Sequence, residues 1–228
     1  MGKRKLVWLY FFEFLFSVAV ITAVTVLLSG MILLLNEKPW PGIIAGGVLM
    51  AAAIPLCING KRHKVFYYAT CILNAFASGL FTASYFTFVN KTPDFVDMLP
   101  PVAIVTVLML LRCVALLFDK AGIVINFVLL ALNFAGGIAA IVLWIIHGGI
   151  FFPMLLFLLI PEFVQGAALL ISVDESEPIS DVKIVSVASF SYAFVIGLIA
   201  VFILSEGEIL DGFDAFIDTP SKKVKKGK

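Results

Sequence analysis

Charged residues are scarce in this sequence. Only 14% of its 228 residues are Asp, Glu, Lys or Arg, 62% are hydrophobic, and the mean hydropathy is +1.11. A soluble domain has about 25% charged and roughly 45–50% apolar residues. The net charge of +1 says nothing about nucleic acid, but no basic patch is interleaved with stacking aromatics outside the apolar segments, so we expect no nucleic-acid partner. The composition predicts an integral membrane protein whose main partner is the lipid bilayer.

The sequence also lacks the usual signatures of catalysis and metal binding. Its three cysteines, Cys57, Cys71 and Cys113, lie in or next to apolar runs and show no CxxC spacing, which is typical of small buried packing residues. HExxH, GxSxG and P-loop patterns are absent. We therefore predict no metal, no cofactor and no enzymatic activity. A membrane-embedded lipid-modifying enzyme would need a catalytic set that the sequence does not contain.

What remains is a series of long apolar runs. Each can cross a hydrocarbon core of ~30 Å as a helix, and short polar loops separate them, so neighbours in sequence should pack antiparallel. The first run is too long for a signal peptide and is read as a retained span. The fold class is thus all-α, a polytopic helical membrane bundle of about seven spans in one transmembrane domain, 1–205. The spans lie at about 14–35, 42–58, 65–89, 101–118, 123–146, 150–171 and 184–204.

The segment before the first span and the loops indicate orientation. An interfacial turn holding Trp8 and Tyr10 should precede the first span. If the N-terminus is cytoplasmic, the inner side collects most of the Lys and Arg residues and the outer loops collect only Lys38 and Lys91. The inner set is Lys3, Arg4, Lys5, Lys61, Arg62, Lys64, Lys120 and Lys183. This bias predicts a cytoplasmic N-terminus. The membrane that we expect is the plasma membrane.

The C-terminal region divides into two segments. Residues 206–219 are acidic, with apolar residues at helical spacing, and predict an amphipathic helix on the membrane surface. Residues 220–228 form a basic tail that seven spans would place outside. The final KKGK has the form of a dilysine retrieval signal, which would indicate the endoplasmic reticulum if the organism is eukaryotic and this end is cytosolic.

A weak internal repeat suggests how the spans are grouped. Shifting the chain by 59 residues aligns Val48 to Met50 with Val107 to Met109, and Leu73-Asn74 with Leu132-Asn133. The pattern indicates one leading helix followed by three helical hairpins, spans 2–3, 4–5 and 6–7. Low-complexity apolar sequence produces such matches by chance, so a chance origin stays open.

Three spans have a stripe of small or polar residues at spacings of three and four, which keeps each stripe on one helix face. Close helix packing explains such stripes; the alternative is that they line one polar cavity. Span 3 has Asn74, Ser78, Thr82 and Tyr85; span 5 has Asn126, Asn133, Gly137 and Ala140; span 7 has Ser186, Ser189, Ala193, Gly197 and Ala200.

Glycines add a second packing signal. Span 2 contains Gly42 and Gly46 at the spacing that permits a close helix crossing, either within the chain or between protomers. With Gly137 and Gly197 of the stripes, they are the expected helix-packing glycines. A crossing between protomers would make the protein a homo-oligomer or a subunit that docks other membrane helices.

The most informative residues are Arg112 and Glu162, which lie inside apolar spans. A charge in hydrocarbon costs at least ~2.5–3.5 kcal/mol and usually has a partner. We expect the two to meet, as a buried ion pair or around a proton-labile glutamate, with Gln165 in the same polar interior. Two alternatives are that Arg112 snorkels to the interface and that Glu162 closes the backbone gap left by Pro161. Pro153 and Pro161 should kink or locally break span 6.

These observations lead to two functional hypotheses. The first is a small transporter or permease for a small solute or ion, whose polar interior surrounds a buried glutamate. Its pathway residues would be Glu162, Arg112, Asn74, Asn133, Gln165, Ser78, Thr82 and Tyr85. The second is a non-catalytic membrane subunit or assembly factor that docks other helices through its small-residue faces.

Overall fold

The computed structural model describes residues 3–34, 39–60, 63–174 and 181–217. Within these ranges the regular structure consists of seven α-helices and contains no strand. They are α1 (Lys3–Leu34), α2 (Trp40–Asn59), α3 (Val65–Phe88), α4 (Phe95–Ala115), α5 (Asp119–His147), α6 (Phe151–Asp174) and α7 (Asp181–Ile217). All seven contain a stretch long and apolar enough to cross a membrane. The predicted helical class and number of long apolar segments are confirmed.

Helix α1 begins earlier than the sequence predicted. Trp8 and Tyr10 belong to one continuous helix from Lys3 to Leu34 rather than to an interfacial turn. Tyr10 is fully buried, and its hydroxyl makes a 2.9 Å hydrogen bond with the Ser172 hydroxyl of α6. The turn was therefore the wrong interpretation, because a polar partner on another helix lets this tyrosine lie inside the bundle.

Helix α4 is also displaced from the predicted span at 101–118. It begins at Phe95, where Asp94 and Asp97 form a reciprocal cap: the Asp97 N–H donates to Asp94 at 2.8 Å, and the Asp94 N–H donates to Asp97 at 3.3 Å. The chain then turns closely into α5. A Cβ on Gly122 would collide with the Ala115 carbonyl oxygen, so this turn requires glycine.

Helix α6 is not broken at its prolines. Pro153 is the third residue of the helix, where its missing N–H would have no intrahelical partner in any case. The helix continues through Pro161 to Asp174. The expected local break is absent from this helix.

The two helices of each predicted hairpin are in contact, and α1, α3 and α6 add contacts between the hairpins. α3 contacts α1, α2 and α7, and α1 also packs on α4 and α6. α5 packs mainly against α6 and less against α4. Only 11% of the residues in the apolar 18-residue stretch of α5 are buried, against 56% for α3 and for α6. Helix α5 therefore lies at the edge of the bundle. The 59-residue repeat stays a prediction.

The C-terminal segments are described only in part. The backbone of α7 continues as a helix through Ile217, past the end of the predicted last span at 204. The side chains of 206–217 and all of 218–228 lie outside the described residues, and so does the predicted basic tail.

Candidate functional site

Helix α6 positions two buried polar side chains that bind different neighbours. Glu162 and Gln165 are three residues apart, which places them on one helix face, and both are fully buried. Glu162 binds side chains of α4 and α5, whereas Gln165 binds a side chain of α1. The polar interior therefore has two parts that meet at α6.

The first part is centred on Glu162. The Arg112 Nε donates to Glu162 Oε1, and Arg112 Nη2 donates to Oε2 at 3.2 Å. The Asn133 amide also donates to Oε2. This two-pronged contact is the strongest geometry for an Arg–carboxylate pair, and the side chains are 1% and 0% exposed. Arg112 thus does not snorkel, and the Glu162 carboxylate is bound by α4 and α5 rather than by the backbone near Pro161.

Further contacts hold Arg112 in place. Its Nη1 donates to the Asn126 carbonyl oxygen at 3.4 Å, and the Asn126 amide donates back to the Arg112 carbonyl oxygen at 3.2 Å. On α6, a Cβ at Gly166 would lie 2.8 Å from Arg112 Nε, so the guanidinium can pack there only because this residue is glycine. We call Arg112, Asn126, Asn133, Glu162 and Gly166 the Glu162 site.

The second part is centred on Glu13 of α1. Ser17 donates to Glu13 Oε1 at 3.0 Å, and the Gln165 amide nitrogen donates to Oε2. The Ser17 hydroxyl also makes a 3.0 Å hydrogen bond with the hydroxyl of Tyr192 on α7. These four residues, the Glu13 site, connect α1, α6 and α7.

The sequence interpretation missed Glu13, Ser17, Tyr192 and Gly166. Glu13 interrupts an apolar run, and the span was instead started one residue later. The Glu13–Ser17 spacing of four was a usable signal, since it places a hydroxyl beside the carboxylate on one helix face. For Gly166 the signal was the same spacing from Glu162.

The predicted pathway residues of α3 do not join either site. The Asn74 amide donates to the Ser189 hydroxyl of α7 at 3.0 Å. Ser78 and Thr82 donate to carbonyl oxygens of their own helix, each at 2.9 Å. Tyr85 is buried among the rings of Phe86, Trp144 and Phe157. Asn74 thus contacts α7, whereas Tyr85 packs on rings of α3, α5 and α6.

The stripe on α5 faces a different part of the bundle. Asn126 and Asn133 bind groups of α4 and α6, whereas the stripes on α3 and α7 meet each other through Asn74 and Ser189. The described residues therefore divide the three stripes between two helix interfaces, and these stripes do not line a single polar cavity.

The glycines differ in what they face. A Cβ at Gly42 would collide with the Ser84 hydroxyl, and one at Gly46 would lie 2.5 Å from the Phe81 ring, so both allow α2 to approach α3. A Cβ at Gly197 would lie 2.8 Å from the same ring, so this glycine allows α7 to approach Phe81. At Gly137 the nearest atom is Leu156 Cδ1, 3.9 Å away, which leaves room for a side chain.

The chemistry available here is ionic and hydrogen-bonding. Within the described part of the chain, no three His, Cys, Asp or Glu side chains are grouped closely enough to hold a metal ion. The Glu162 carboxylate has a guanidinium partner, whereas Glu13 accepts only from Ser17 and Gln165 among the described side chains. No protein-family model matches the chain, and no similar curated protein or solved structure was found.

Proposed function

We propose that the protein is a small transporter or permease that moves a small solute or ion through the interior around α6. The supporting observation is that Arg112 and Glu162, both fully buried, meet with Asn133 inside a bundle of membrane-length helices. Ionisable groups at this depth are costly and usually mark substrate or ion pathways. Gln165, on the same face of α6, connects this interior to α1.

Transport through this interior requires the pair to exchange partners. An anionic group would replace the carboxylate at Arg112, and a cationic group would replace the guanidinium at Glu162. Arg112 and Glu162 are both out of contact with solvent in this structure. A solute can therefore displace one of them only if it offers the other an equivalent charge-assisted hydrogen bond.

The experiment must separate a transport role from a structural one. The Glu162→Gln variant alone leaves Arg112 charged and unpaired, so loss of flux in that variant is ambiguous. The double variant Arg112→Gln/Glu162→Gln removes both charges. We would measure currents in proteoliposomes on rapid addition of Na⁺, K⁺, ammonium, glycine or acetate. The proposal predicts a saturable current with at least one probe that the folded double variant lacks. An equal current in the double variant contradicts the role of the pair.

A second candidate function is docking to other membrane helices, and one observation favours it. Gly42 and Gly46 face α3 and are not free to bind a partner. Helix α5, in contrast, exposes Ala131, Ala135 and Ala139 at spacings of four, a pattern found at close helix crossings. Native mass spectrometry of protein purified in mild detergent tests this candidate. A stoichiometric partner or homo-oligomer lost in Ala135→Leu supports it, and an unchanged assembly in that variant contradicts it.

The proposed membrane is the plasma membrane, with a cytoplasmic N-terminus. Ser189 faces Asn74 and Gly197 faces Phe81, so α3 and α7 run parallel. Lys64 and Lys183 therefore lie at the same end. Labelling by a membrane-impermeant maleimide tests the orientation in cells, after replacement of the native cysteines. A cysteine at Lys91 should react, and one at Lys64 should react only after permeabilisation. The reverse result would invert the orientation.

A further inference from the structure

A groove on the outer surface of the bundle leads to Glu13. It lies between α1 and α3, has a volume of about 280 Å³, and is lined by Glu13 together with mainly apolar side chains. The rim residues Phe12, Phe16, Tyr68 and Ile72 are 41–63% exposed on the surface that would face lipid. The groove therefore opens sideways into the membrane rather than towards water.

The carboxylate at the base of this groove has spare binding capacity. An ionised carboxylate can accept about four hydrogen bonds, and Glu13 receives one on each oxygen. Neither donor, Ser17 or Gln165, carries a charge. In an apolar setting such a carboxylate is neutralised by a proton or by a cation.

The lining favours an organic cation over a metal ion. Three aromatic rings, those of Phe12, Phe16 and Tyr68, line the groove around the acid. Aromatic faces attract alkylammonium groups, and this attraction strengthens where water is excluded. A metal ion would need a shell of oxygen or nitrogen ligands, which the apolar lining does not provide.

A second groove on α1 differs from the groove at Glu13 because it contains no acidic residue. The groove between α1 and α4 is larger, about 550 Å³, and is lined by apolar residues such as Val18, Met98 and Val102, with no charged side chain. It offers no counter-ion to a charged ligand. Of these two grooves, the one at Glu13 combines an aromatic lining with a carboxylate.

We propose that the groove between α1 and α3 binds a small lipophilic ammonium ion that enters from the membrane, with the Glu13 carboxylate as its counter-ion. The aromatic side chains contact both the ammonium group and the apolar body, and the ammonium N–H groups donate to the free lone pairs of Glu13. The volume, at the low end for ligand pockets, suits a single-ring amine. This site rests on the groove alone and does not require the protein to be a transporter.

The test is equilibrium binding of tritiated 2-phenylethylammonium to the full-length protein in detergent. The matched competitors are 2-phenylethanol, which is neutral, and 3-phenylpropionate, which is anionic. The ammonium compound should displace the tracer at least about 30-fold more effectively than either, the effect expected of a desolvated charge pair. Equal displacement by the alcohol, or no saturable binding, overturns the proposal.

Variants then locate the site. Glu13→Gln should weaken binding by about 30-fold or more, because the glutamine amide keeps the shape of the carboxylate but removes its charge. Phe16→Leu should weaken it by about two- to fivefold through the lost cation–π contact. The control Phe127→Leu alters an exposed ring on α5, distant from the groove, and should bind normally. If Glu13→Gln does not fold, the affinities of Phe16→Leu and Phe127→Leu still test the location of the site. Equal affinities of these two variants would contradict binding in the proposed groove.

Discussion

The two glutamates of the helical bundle, buried Glu162 and half-buried Glu13, have different means of stabilising a charge. Glu162 has an internal counter-ion, Arg112, and both side chains are closed off from the surface. Glu13 accepts only from neutral donors among the described side chains and lines a groove that opens on the outer surface of the bundle. A carboxylate with its own cation must release that cation before it can bind a solute, whereas one without a cation can bind a ligand directly. We therefore expect a broken Glu162 pair to cost more stability than removal of the charge at Glu13.

The largest effect should come from breaking the Glu162 pair on one side. Arg112→Leu or Glu162→Leu leaves an uncompensated buried charge and should destabilise the protein by about 3–5 kcal/mol. The double variant should recover most of this loss, because both charges are then gone. Thermal unfolding in detergent, followed by size-exclusion chromatography, provides the double-mutant cycle. Additive losses in the double variant would show that the two side chains do not stabilise one another.

A smaller loss should follow from crowding the Arg112 side chain. Gly166→Ala adds a methyl group 2.8 Å from Arg112 Nε and should cost about 1–3 kcal/mol as the guanidinium shifts from Glu162. The matched control is Gly136→Ala on α5, where a Cβ meets no atom within 4 Å. Both substitutions favour the helix equally, so the difference in melting temperature isolates the contact. Equal melting temperatures would refute the packing of Arg112 on Gly166.

Removing a neutral donor from the Glu162 site should cost less again. Asn133→Ala deletes the amide that donates to Glu162 Oε2 but leaves the ion pair in place. Hydrogen bonds between membrane helices average about 0.6 kcal/mol, with values up to about 1.7. Thermal unfolding should show a loss in this range. A loss as large as that of Arg112→Leu would mean that the amide, rather than the guanidinium, dominates the site.

The smallest effect on stability is expected at Glu13. Glu13→Gln leaves no unpaired cation behind, and the new amide can still accept from Ser17, so the change should be within about 1 kcal/mol. Glu162→Gln, the same chemical change, should be far more damaging because Arg112 then loses its counter-ion. Melting curves of the two variants measure this contrast directly. Equal destabilisation would remove the distinction between the two sites.

The seven membrane-length helices could be predicted from the sequence because the signal is local. A long apolar run must form a helix in lipid so that its backbone groups are paired. The boundaries were less accurate where polar residues extend a helix. α1 begins at Lys3 rather than near 14, and α4 begins at Phe95 rather than near 101, because burial of Tyr10 and the cap at Asp94 are not visible in hydropathy.

The candidate site was predicted unevenly. Arg112 and Glu162 were singled out because a charge inside an apolar run needs a partner, and the structure places them in contact. Glu13 lies just outside the span predicted at 14–35, because it interrupts the apolar run there. Asn74 was grouped with Glu162, yet it binds Ser189 on α7. Residue type alone does not tell which neighbouring helix a polar face meets.

The sequence by itself determined that the chain forms seven long apolar helices and that Arg112 and Glu162 need a polar environment. The reason is that hydrocarbon penalises unpaired charges and backbone groups wherever they occur. Only the tertiary structure decided which residues are partners. Arg112 binds Glu162, Gln165 binds Glu13, and the glycines of α2 face α3. Those choices depend on the position and rotation of each helix in the bundle, which come from the fit of many side chains together.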